Sequence, residues 1–502
     1  MAKALMFLGT GSDVGKSIAT TAFCRIFKRR GYRVAPFKAQ NMSNNSYVTI
    51  EGGEIGRAQV AQAEAAGLLP SIHMNPILLK PSANQGVQVV LQGRPIGTMK
   101  AKTYYELKPR FKKAIKESYH YLEKDHDVII IEGAGSCCEM NLKGNDLVNL
   151  PLAKSFRVPC ILVADIDRGG VFAQIIGTYQ LMTPAERKLA MGFLINKFRG
   201  ESDLFTSGID YIEKRTAKPV LGLVPYFQDI HIDSEDSVAV QIDKRPIKTT
   251  GPRSVNIAVL RLPTISNFTD LEILEQEEDV IMNYLSHSKD LISDYDYFVL
   301  PGTKNVMEDA AWLNRSGWKK AIHEFAGSGK KILGICGGYQ LLGRMILDPW
   351  GVESDRKKVK GLNLLPITTT LEEEKIVRKV MGACLVYNKP VTGYEIHMGT
   401  SRITEKRGES FLKLHVQGKK QAWEDGWSVN QGQIAGTYLH GLFDSPNFRG
   451  AILNDLRSIK GLSAKRPQPG RKARFSQYDS LAEHFEKHCD VDKIIHQTMK
   501  GI

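Results

Sequence analysis

The sequence predicts an α/β protein built of two doubly wound domains. Short, continuous apolar runs alternate with longer stretches of helical pattern, which is typical of parallel strands buried on both faces. Two such series occur, and a polar segment with two prolines separates them. A chain of 502 residues is also too long for one hydrophobic core. We therefore expect domains at 1–234 and 255–450, a linker at 235–254, and a helical extension at 451–502 that packs on the second domain.

The strands are predicted from short runs of four to six residues, most of them continuously apolar. In the first series these runs lie at 4–8, 34–37, 128–131, 160–164, 191–195 and 220–223. In the second series they lie at 255–260, 297–300, 332–335 and 434–438. Apolar residues at helical spacing over 480–497 predict a helix in the last part of the chain. The strand-then-helix order implies crossover connections and mainly parallel sheets.

Composition limits the classes of function. No run approaches the roughly 18 apolar residues that a membrane span needs. Seven cysteines are scattered without a C-x-x-C pair, which favours a reducing cytoplasm without disulfides. The net charge is +14, and the densest basic cluster is Lys465, Arg466, Arg471, Lys472 and Arg474. A solvated loop or an acidic small-molecule substrate explains it better than nucleic acid, because no nucleic-acid-binding motif accompanies it. We expect no nucleic-acid or membrane partner, and the oligomeric state stays open.

A glycine-rich loop follows the first strand, at Gly9-Thr-Gly-Ser-Asp-Val-Gly-Lys-Ser17. Such a loop between a strand and a helix directs backbone N–H groups at phosphates, with a lysine for the terminal phosphates and a hydroxyl for Mg²⁺. Thr10 occupies the position of the first Walker glycine, so this loop is a variant. The predicted ATP-binding residues are Gly11, Asp13, Val14, Gly15, Lys16, Ser17, Lys38 and Asn196.

The predictions for Glu132, Lys38 and Asn196 rest on strand ends rather than on the loop. Glu132 follows four apolar residues, at the carboxyl end of a strand, where ligands bind in parallel sheets. We predict that Ser17 and Glu132 hold Mg²⁺. Lys38 ends the second strand and could neutralise phosphate charge, and Asn196 could contact an adenine edge. Asp13 is interpreted either as a metal or base contributor or as a cap of the loop.

A cysteine occupies a sharp turn in the second series. Gly334-Ile-Cys336-Gly-Gly338 lies between a predicted strand and a predicted helix, and it has the form of a nucleophile elbow. Glycines on both sides allow a turn that would clash if they carried side chains. A buried structural cysteine is the alternative interpretation. We predict that Cys336 is a catalytic nucleophile.

Longer motifs indicate known families. The variant loop with Glu132-Gly-Ala-Gly135 resembles the dethiobiotin synthetase family of P-loop NTPases. The elbow, with Gly436-Thr-Tyr-Leu-His440-Gly, resembles class I glutamine amidotransferases, whose fold is flavodoxin-like. Joined in this order, the two halves resemble the cobyric acid synthase family. Segments at 36–46, 164–172, 300–305 and 393–399 support that resemblance over almost the whole chain.

The resemblance implies a two-site reaction. Cys336 would release ammonia from glutamine with His440 as its base, and the N–H groups of Gly302 and Gly337 would form the oxyanion hole. ATP and Mg²⁺ would activate carboxylates of a corrinoid. The implied substrate is adenosylcobyrinic acid a,c-diamide, amidated at its b, d, e and g carboxylates to give adenosylcobyric acid. The order of amidations and the residues that contact the corrin stay open.

One departure from the amidotransferase pattern concerns the group that orients the histidine. Triad amidotransferases carry a glutamate two residues after the histidine, and Leu442 stands there. Asp444 is a candidate replacement, but we expect Cys336 and His440 to act as a dyad.

Two rival functions share part of this sequence pattern. A synthase that amidates the a and c carboxylates of cobyrinic acid shares these motifs, although the details of 41–46 and 165–170 favour cobyric acid synthase. A partitioning or septum-positioning ATPase also uses a variant P-loop. It would have a lysine early in the loop and no cysteine elbow, so we disfavour it.

Overall fold

The structure is a computed structural model that describes residues 2–82, 86–227, 230, 232, 247–468 and 470–501. Its first half contains a six-stranded parallel sheet, which confirms the α/β prediction. The strand order is β12-β11-β10-β1-β9-β2. These strands are β1 (Lys3–Gly9), β2 (Val34–Phe37), β9 (Val128–Glu132), β10 (Cys160–Asp165), β11 (Ala190–Phe198) and β12 (Val220–Pro225).

Helices cover both faces of this sheet, as the continuous apolar strands require. Alternate residues of β1 enter two separate cores, with Met6 and Leu8 in one and Leu5 and Phe7 in the other. The helices of this half are α1 (Lys16–Arg29), α2 (Arg57–Ala65), α3 (Ala101–Glu106), α4 (Lys108–Asp125), α5 (Leu150–Phe156), α6 (Val171–Leu181), α7 (Pro184–Leu189) and α8 (Thr206–Thr216).

Residues 40–99 form two small sheets that the sequence did not predict. Their strands are short and partly polar, so they lack the continuous apolar run of a parallel strand. A four-stranded sheet has the order β3-β6-β7-β8, and β4 pairs with β5 as a hairpin. The strands are β3 (Gln40–Met42), β4 (Ser46–Val48), β5 (Glu54–Gly56), β6 (Ile77–Ser82), β7 (Gly86–Leu91) and β8 (Arg94–Met99).

The second half contains another six-stranded sheet, with the order β14-β13-β15-β16-β24-β23. Its pairs are parallel except at the edge, where β23 and β24 are antiparallel. The strands are β13 (Val255–Leu260), β14 (Val280–Leu285), β15 (Tyr297–Leu300), β16 (Lys331–Ile335), β23 (Trp427–Val429) and β24 (Ile434–Thr437). The helices are α9 (Val306–Arg315), α10 (Trp318–Gly327), α11 (Gly337–Leu342) and α12 (Pro446–Ile459).

A mainly antiparallel sheet is inserted between β16 and β23. Its centre is a long hairpin that carries the 393–399 motif beside Cys336, and β25 joins its edge. The strands are β17 (Met345–Leu347), β18 (Lys358–Lys360), β19 (Ile367–Cys384), β20 (Lys389–Ile403), β21 (Leu412–Val416), β22 (Ala422–Asp425) and β25 (Leu439–His440). The sequence did not predict this sheet, because its strands are mixed in polarity.

The C-terminal helices contradict the predicted packing. Helices α13 (Gly470–His488) and α14 (Val491–Lys500) pack on the first domain, where Phe485 and Ile494 enter the core formed by β1 and α1. Helix α12, which precedes them, packs on the second domain. The helical pattern at 480–497 predicted a helix but could not identify the domain that buries its apolar face. The predicted linker at 235–254 lies largely outside the described residues, which resume at 247.

Candidate active site

Cys336 lies in the sharp turn that the glycine pattern predicted. Strand β16 ends at Ile335, helix α11 begins at Gly337, and Cys336 between them has φ 53° and ψ −108°. This backbone conformation is strained for a residue with a side chain. A Cβ added to Gly338 would lie 2.0 Å from the carbonyl oxygen of Leu300, so no other residue fits there. The turn therefore depends on its glycines and holds the thiol at the carboxyl edge of the sheet.

His440 lies beside this thiol and is fully enclosed. The residue is 1% exposed, and its imidazole interacts electrostatically with Cys336, whose Sγ lies 3.5 Å from the Ile396 carbonyl of the inserted hairpin. The ring of Tyr394 stacks on the imidazole with 5.4 Å between centroids. Strand β25 pairs with β20 and so fixes the histidine against the inserted hairpin. The structure thus brings together the nucleophile and base that were predicted from separate motifs.

A third residue, Asp270, orients the histidine, and the prediction of a dyad is wrong. His440 Nδ1 donates to Asp270 Oδ2 at 2.6 Å, and the Gly441 N–H donates to Asp270 Oδ1 at 3.0 Å. Asp270 belongs to a short 3-10 helix, Phe268–Asp270, in the loop after β13. That loop leaves the same carboxyl edge as Cys336, which is the signal that could have identified it. The arrangement is a Cys–His–Asp triad.

The earlier candidate, Asp444, has a different partner. Its Oδ1 accepts a hydrogen bond from Arg474 Nη2 at 3.0 Å. Leu442 occupies the position of the usual glutamate and is buried. Asp444 therefore attaches part of the basic segment 465–474 to the second domain.

The triad changes the ionisation of His440. Burial alone disfavours the charged imidazolium, but the Asp270 carboxylate and Cys336 oppose this, and together they raise the pKa of His440 to about 10. The imidazolium is thus favoured at neutral pH, and it lies beside the sulfur of the predicted nucleophile.

Gly302 and Gly337 border the same space. A Cβ on Gly302 would lie 3.3 Å from His440 Cε1, and a Cβ on Gly337 would lie 2.9 Å from the Thr303 nitrogen. The two backbones therefore approach each other next to the thiol. This proximity is compatible with the predicted oxyanion hole. That the N–H groups of Gly302 and Gly337 donate to a substrate oxygen stays a prediction.

The glycine-rich loop has the predicted position between β1 and α1. Lys16 Nζ donates to the Gly11 carbonyl at 2.8 Å, so its ammonium folds over the loop. Asn196 Nδ2 donates to the Val14 carbonyl at 3.0 Å, and a Cβ on Gly15 would lie 2.0 Å from that amide. In this structure the Asn196 amide therefore supports the loop backbone. Its contact with an adenine stays a prediction.

Glu132 joins the loop to two neighbouring elements. The residue is fully buried, and its Oε1 accepts from Ser17 Oγ and from Lys38 Nζ, each at 2.7 Å. Its Oε2 accepts from Gln62 Nε2 at 2.5 Å. The structure thus unites Ser17, Lys38 and Glu132, as the strand-end argument predicted. Gln62 was missed because a glutamine within a helix gives no sequence signal.

Asp13 lies at the tip of the loop rather than among these groups. It has φ 58°, its side chain is 57% exposed, and its carbonyl accepts from Lys197 Nζ at 2.7 Å. Lys197 also pairs with Asp165 at 2.8 Å. The 165–168 motif is therefore a salt-bridged strand end, and Asp13 is a loop residue that Lys197 holds.

The two domains meet directly at the triad. The Ser46 N–H of the first domain donates to Asn267 Oδ1 at 2.9 Å, and Asn267 Nδ2 lies 3.4 Å from His440 Nε2. The hydroxyl of Tyr394 donates to the Ser46 carbonyl at 3.2 Å. Ser46 lies in the 36–46 segment that supports the family resemblance, but the sequence gives no sign of its contact with the second domain.

Comparisons with known proteins agree with this two-site geometry. Residues 5–238 match the CobQ/CobB/MinD/ParA nucleotide binding domain, and residues 256–448 match the CobB/CobQ-like glutamine amidotransferase domain. The chain is 45% identical over 504 residues to a cobyric acid synthase of Syntrophobacter fumaroxidans, with 98% of each chain covered. The chain belongs to the cobyric acid synthase family.

Other cobyric acid synthases show the same relationship. The enzyme named so in Moorella thermoacetica is 43% identical, with 98% of this chain and 97% of that protein covered. A Clostridium botulinum cobyric acid synthase is 45% identical, covering 98% and 99%. Membership of the cobyric acid synthase family makes this chain a glutamine-dependent amide ligase with an ATP-binding domain. Within the described residues, no helix combines the length and apolar character that a membrane span needs.

Proposed function

We propose that this protein amidates the b, d, e and g carboxylates of adenosylcobyrinic acid a,c-diamide to form adenosylcobyric acid, with ammonia from glutamine. The observation that carries the proposal is the buried Cys336–His440–Asp270 triad, which contacts a domain with a phosphate-binding loop. A glutaminase alone needs no such loop. The names of the relatives supply the corrinoid substrate. Seven free cysteines favour the cytoplasm as the compartment.

Ammonia is released at the triad. With the thiol proton transferred to His440, the sulfur of Cys336 attacks the carboxamide carbon of glutamine, and the Gly302 and Gly337 N–H groups stabilise the oxyanion by roughly 3 kcal/mol per donor. His440 gives its proton to the departing nitrogen, and a thioester remains. His440 then takes a proton from water as the thioester is hydrolysed to glutamate. Asp270 keeps the imidazole oriented in both steps.

The released ammonia is used in the first domain. A carboxylate resists attack by ammonia because its leaving group is poor. Transfer of the γ-phosphoryl group of ATP to the carboxylate gives an acyl phosphate, which ammonia attacks with loss of phosphate. Lys16 neutralises charge on the transferring group, and Lys38 compensates Glu132 beside it.

The oxygens of Ser17 and Glu132 suit a magnesium ion. Mg²⁺ prefers hard oxygen ligands, and this hydroxyl and carboxylate lie side by side at the end of the loop. Ser17 and Glu132 would hold the ion, which would neutralise phosphate charge. Without the ion, Ser17 Oγ donates a hydrogen bond to Glu132 Oε1, as in this structure.

Replacement of Cys336 by serine tests the two-site scheme. Glutamine-dependent amidation should fall to background, while amidation driven by a high concentration of ammonium salt should persist. Product mass with ATP and a corrinoid diamide gives the readout, because each amidation lowers the mass by about one unit relative to the acid. Loss of ammonia-driven turnover in the same variant would contradict the scheme. A protein that leaves the diamide unchanged but amidates the a and c carboxylates of cobyrinic acid would be the rival synthase.

A further inference from the structure

Two buried glutamines on α2 each use only one end of their side-chain amide. Gln59 Oε1 accepts from Asn41 Nδ2 at 2.9 Å, and Gln62 Nε2 donates to Glu132 Oε2 at 2.5 Å. Both residues are fully buried. Within the described part of the chain, the other ends, Gln59 Nε2 and Gln62 Oε1, have no hydrogen-bond partner. Unpaired polar atoms are rare in protein interiors, because burial removes their water without replacement.

The two unpaired atoms are complementary to one small ligand. Residues three apart on a helix lie on the same face, so Gln59 and Gln62 extend from one side of α2. Gln59 Nε2 is a donor, and Gln62 Oε1 is an acceptor. A ligand that satisfies both must accept one hydrogen bond and donate another. Ammonia does so with its lone pair and its N–H bonds.

The position of α2 connects the two reaction sites. At its start, the Arg57 N–H donates to the Asn45 carbonyl at 3.1 Å. The next residue, Ser46, contacts Asn267 at the triad histidine. At the other end, Gln62 contacts Glu132 beside the phosphate loop. The five steps from Arg57 to Gln62 span roughly 8 Å of helix. The unpaired atoms therefore lie between the place where ammonia forms and the place where it is used.

We propose that Gln59 and Gln62 form a relay that binds neutral ammonia on its way from Cys336 to the acyl phosphate. This inference rests on the proposed function. At Cys336 the glutamine C–N bond breaks as the C–S bond forms, and the nitrogen leaves as NH₃ with the His440 proton. At the acyl phosphate the nitrogen lone pair forms the new C–N bond, the C–O bond to phosphate breaks, and the nitrogen loses one proton to the departing phosphate.

Burial of the relay serves this chemistry. In bulk water near neutral pH, most ammonia is protonated to ammonium, which has no lone pair for attack. A buried site disfavours the charged form and so keeps the molecule nucleophilic. The neutral amides of Gln59 and Gln62 can bind ammonia without trapping it as an ion, as a carboxylate would.

Two substitutions of Gln59 test the relay. Gln59→Leu removes both hydrogen-bonding atoms, and Gln59→Glu keeps the shape and the acceptor for Asn41 but replaces the unpaired donor by an oxygen. The measurement is the number of corrinoid amides formed per glutamate released, with ATP and glutamine saturating. We expect about one for the unsubstituted protein and a roughly ten-fold lower ratio in both variants, because ammonia escapes instead of being held near the acyl phosphate. Amidation with a high concentration of ammonium salt should stay within about two-fold.

Glu64→Leu is the matched control on the same helix. Glu64 accepts from Tyr478 at 2.9 Å, toward α13 and away from the relay, so this variant should keep the ratio near that of the unsubstituted protein. An unchanged ratio in both Gln59 variants would overturn the relay and assign the two atoms to a bound water. An equal loss of glutamine-driven and ammonia-driven amidation would overturn it as a structural effect. Absence of amidation by the unsubstituted protein with either nitrogen source would instead refute the proposed function.

Discussion

Asp270 shows how a catalytic group is supplied by a position that no local motif marks. The family pattern directs attention to the residues after His440, where Leu442 and Asp444 stand. The carboxylate comes instead from a loop about 170 residues earlier, and it binds both the imidazole and the Gly441 N–H. The two contacts fix the ring orientation that a base needs.

Replacing Asp270 by asparagine should lower the rate of glutamine hydrolysis by roughly 10²-fold to 10⁴-fold, because the imidazolium loses its charge partner and its tautomer is no longer fixed. Ammonia-driven amidation should be unaffected. Asp444→Asn is the matched control, since Asp444 pairs with Arg474 on the outside of the site. Steady-state assays of glutamate release check both. Equal losses in the two variants would contradict the assignment of the triad.

The raised pKa of His440 has a consequence for stability. The folded pKa is about 10, and the unfolded value is near 6.5. The folded state therefore binds the proton more tightly, so this contribution is complete below the unfolded pKa and is lost as the pH rises toward 10. Thermal unfolding midpoints between pH 6.5 and pH 10 should fall less steeply in Asp270→Asn than in the unsubstituted protein. Parallel pH profiles would refute the coupling.

At the scale of elements, α13 carries the least expected packing. Near its start, Arg474 pairs with Asp444 of the second domain, and the rest of the helix packs on the first domain. There Arg25 forms a two-bond ion pair with Asp479, and Phe485 packs edge-on against Phe23. The end of the chain therefore completes the core of the nucleotide-binding domain rather than extending the amidotransferase.

Truncation of Phe485 to alanine should destabilise the first domain by roughly 3–5 kcal/mol, since a fully enclosed aromatic leaves a cavity against α1. Ile459→Ala is the control, because this side chain, at the end of α12, is 70% exposed and should change stability by less than about 0.5 kcal/mol. Thermal unfolding followed with and without ATP measures both effects. A Phe485→Ala variant as stable as Ile459→Ala would contradict this packing.

At the scale of the whole molecule, a buried ion cluster joins the domains. Glu54 of the first domain lies between Lys80 of its own domain and Lys375 of the second, which it meets at 2.7 Å. Burial by itself raises the pKa of the Glu54 carboxyl, but the two lysines dominate and hold it below its usual range. Lys375 lies where the pairing of β19 with β20 is irregular, since residues 372–375 stand opposite the single residue Met398.

Lys375→Met should weaken the contact between the domains, because removal of one partner from a buried pair leaves its charge poorly compensated, at a cost of roughly 3 kcal/mol. We expect a lower thermal midpoint and faster proteolysis of the connection between the domains. Lys320→Met makes the same change on an 83% exposed lysine and should have little effect. Equal midpoints in the two variants would argue against a structural role of the cluster.

The sequence by itself determined the parts whose physics is local. Continuous apolar runs identified the parallel strands, and the glycines around Cys336 predicted a turn that only they permit. Gly15, Lys16 and Ser17 identified the phosphate loop for the same reason. These features depend on neighbours within a few residues, so their pattern is visible in the chain.

Only the tertiary structure decided which distant groups meet. Asp270 binds His440, Gln62 binds Glu132, and α13 packs on the first domain. Each of these contacts joins positions far apart in the sequence. Aspartates, glutamines and amphipathic helices are common, and the sequence around each of them does not identify its partner. Burial and charge compensation selected these partners once the strands had brought the loops to common edges.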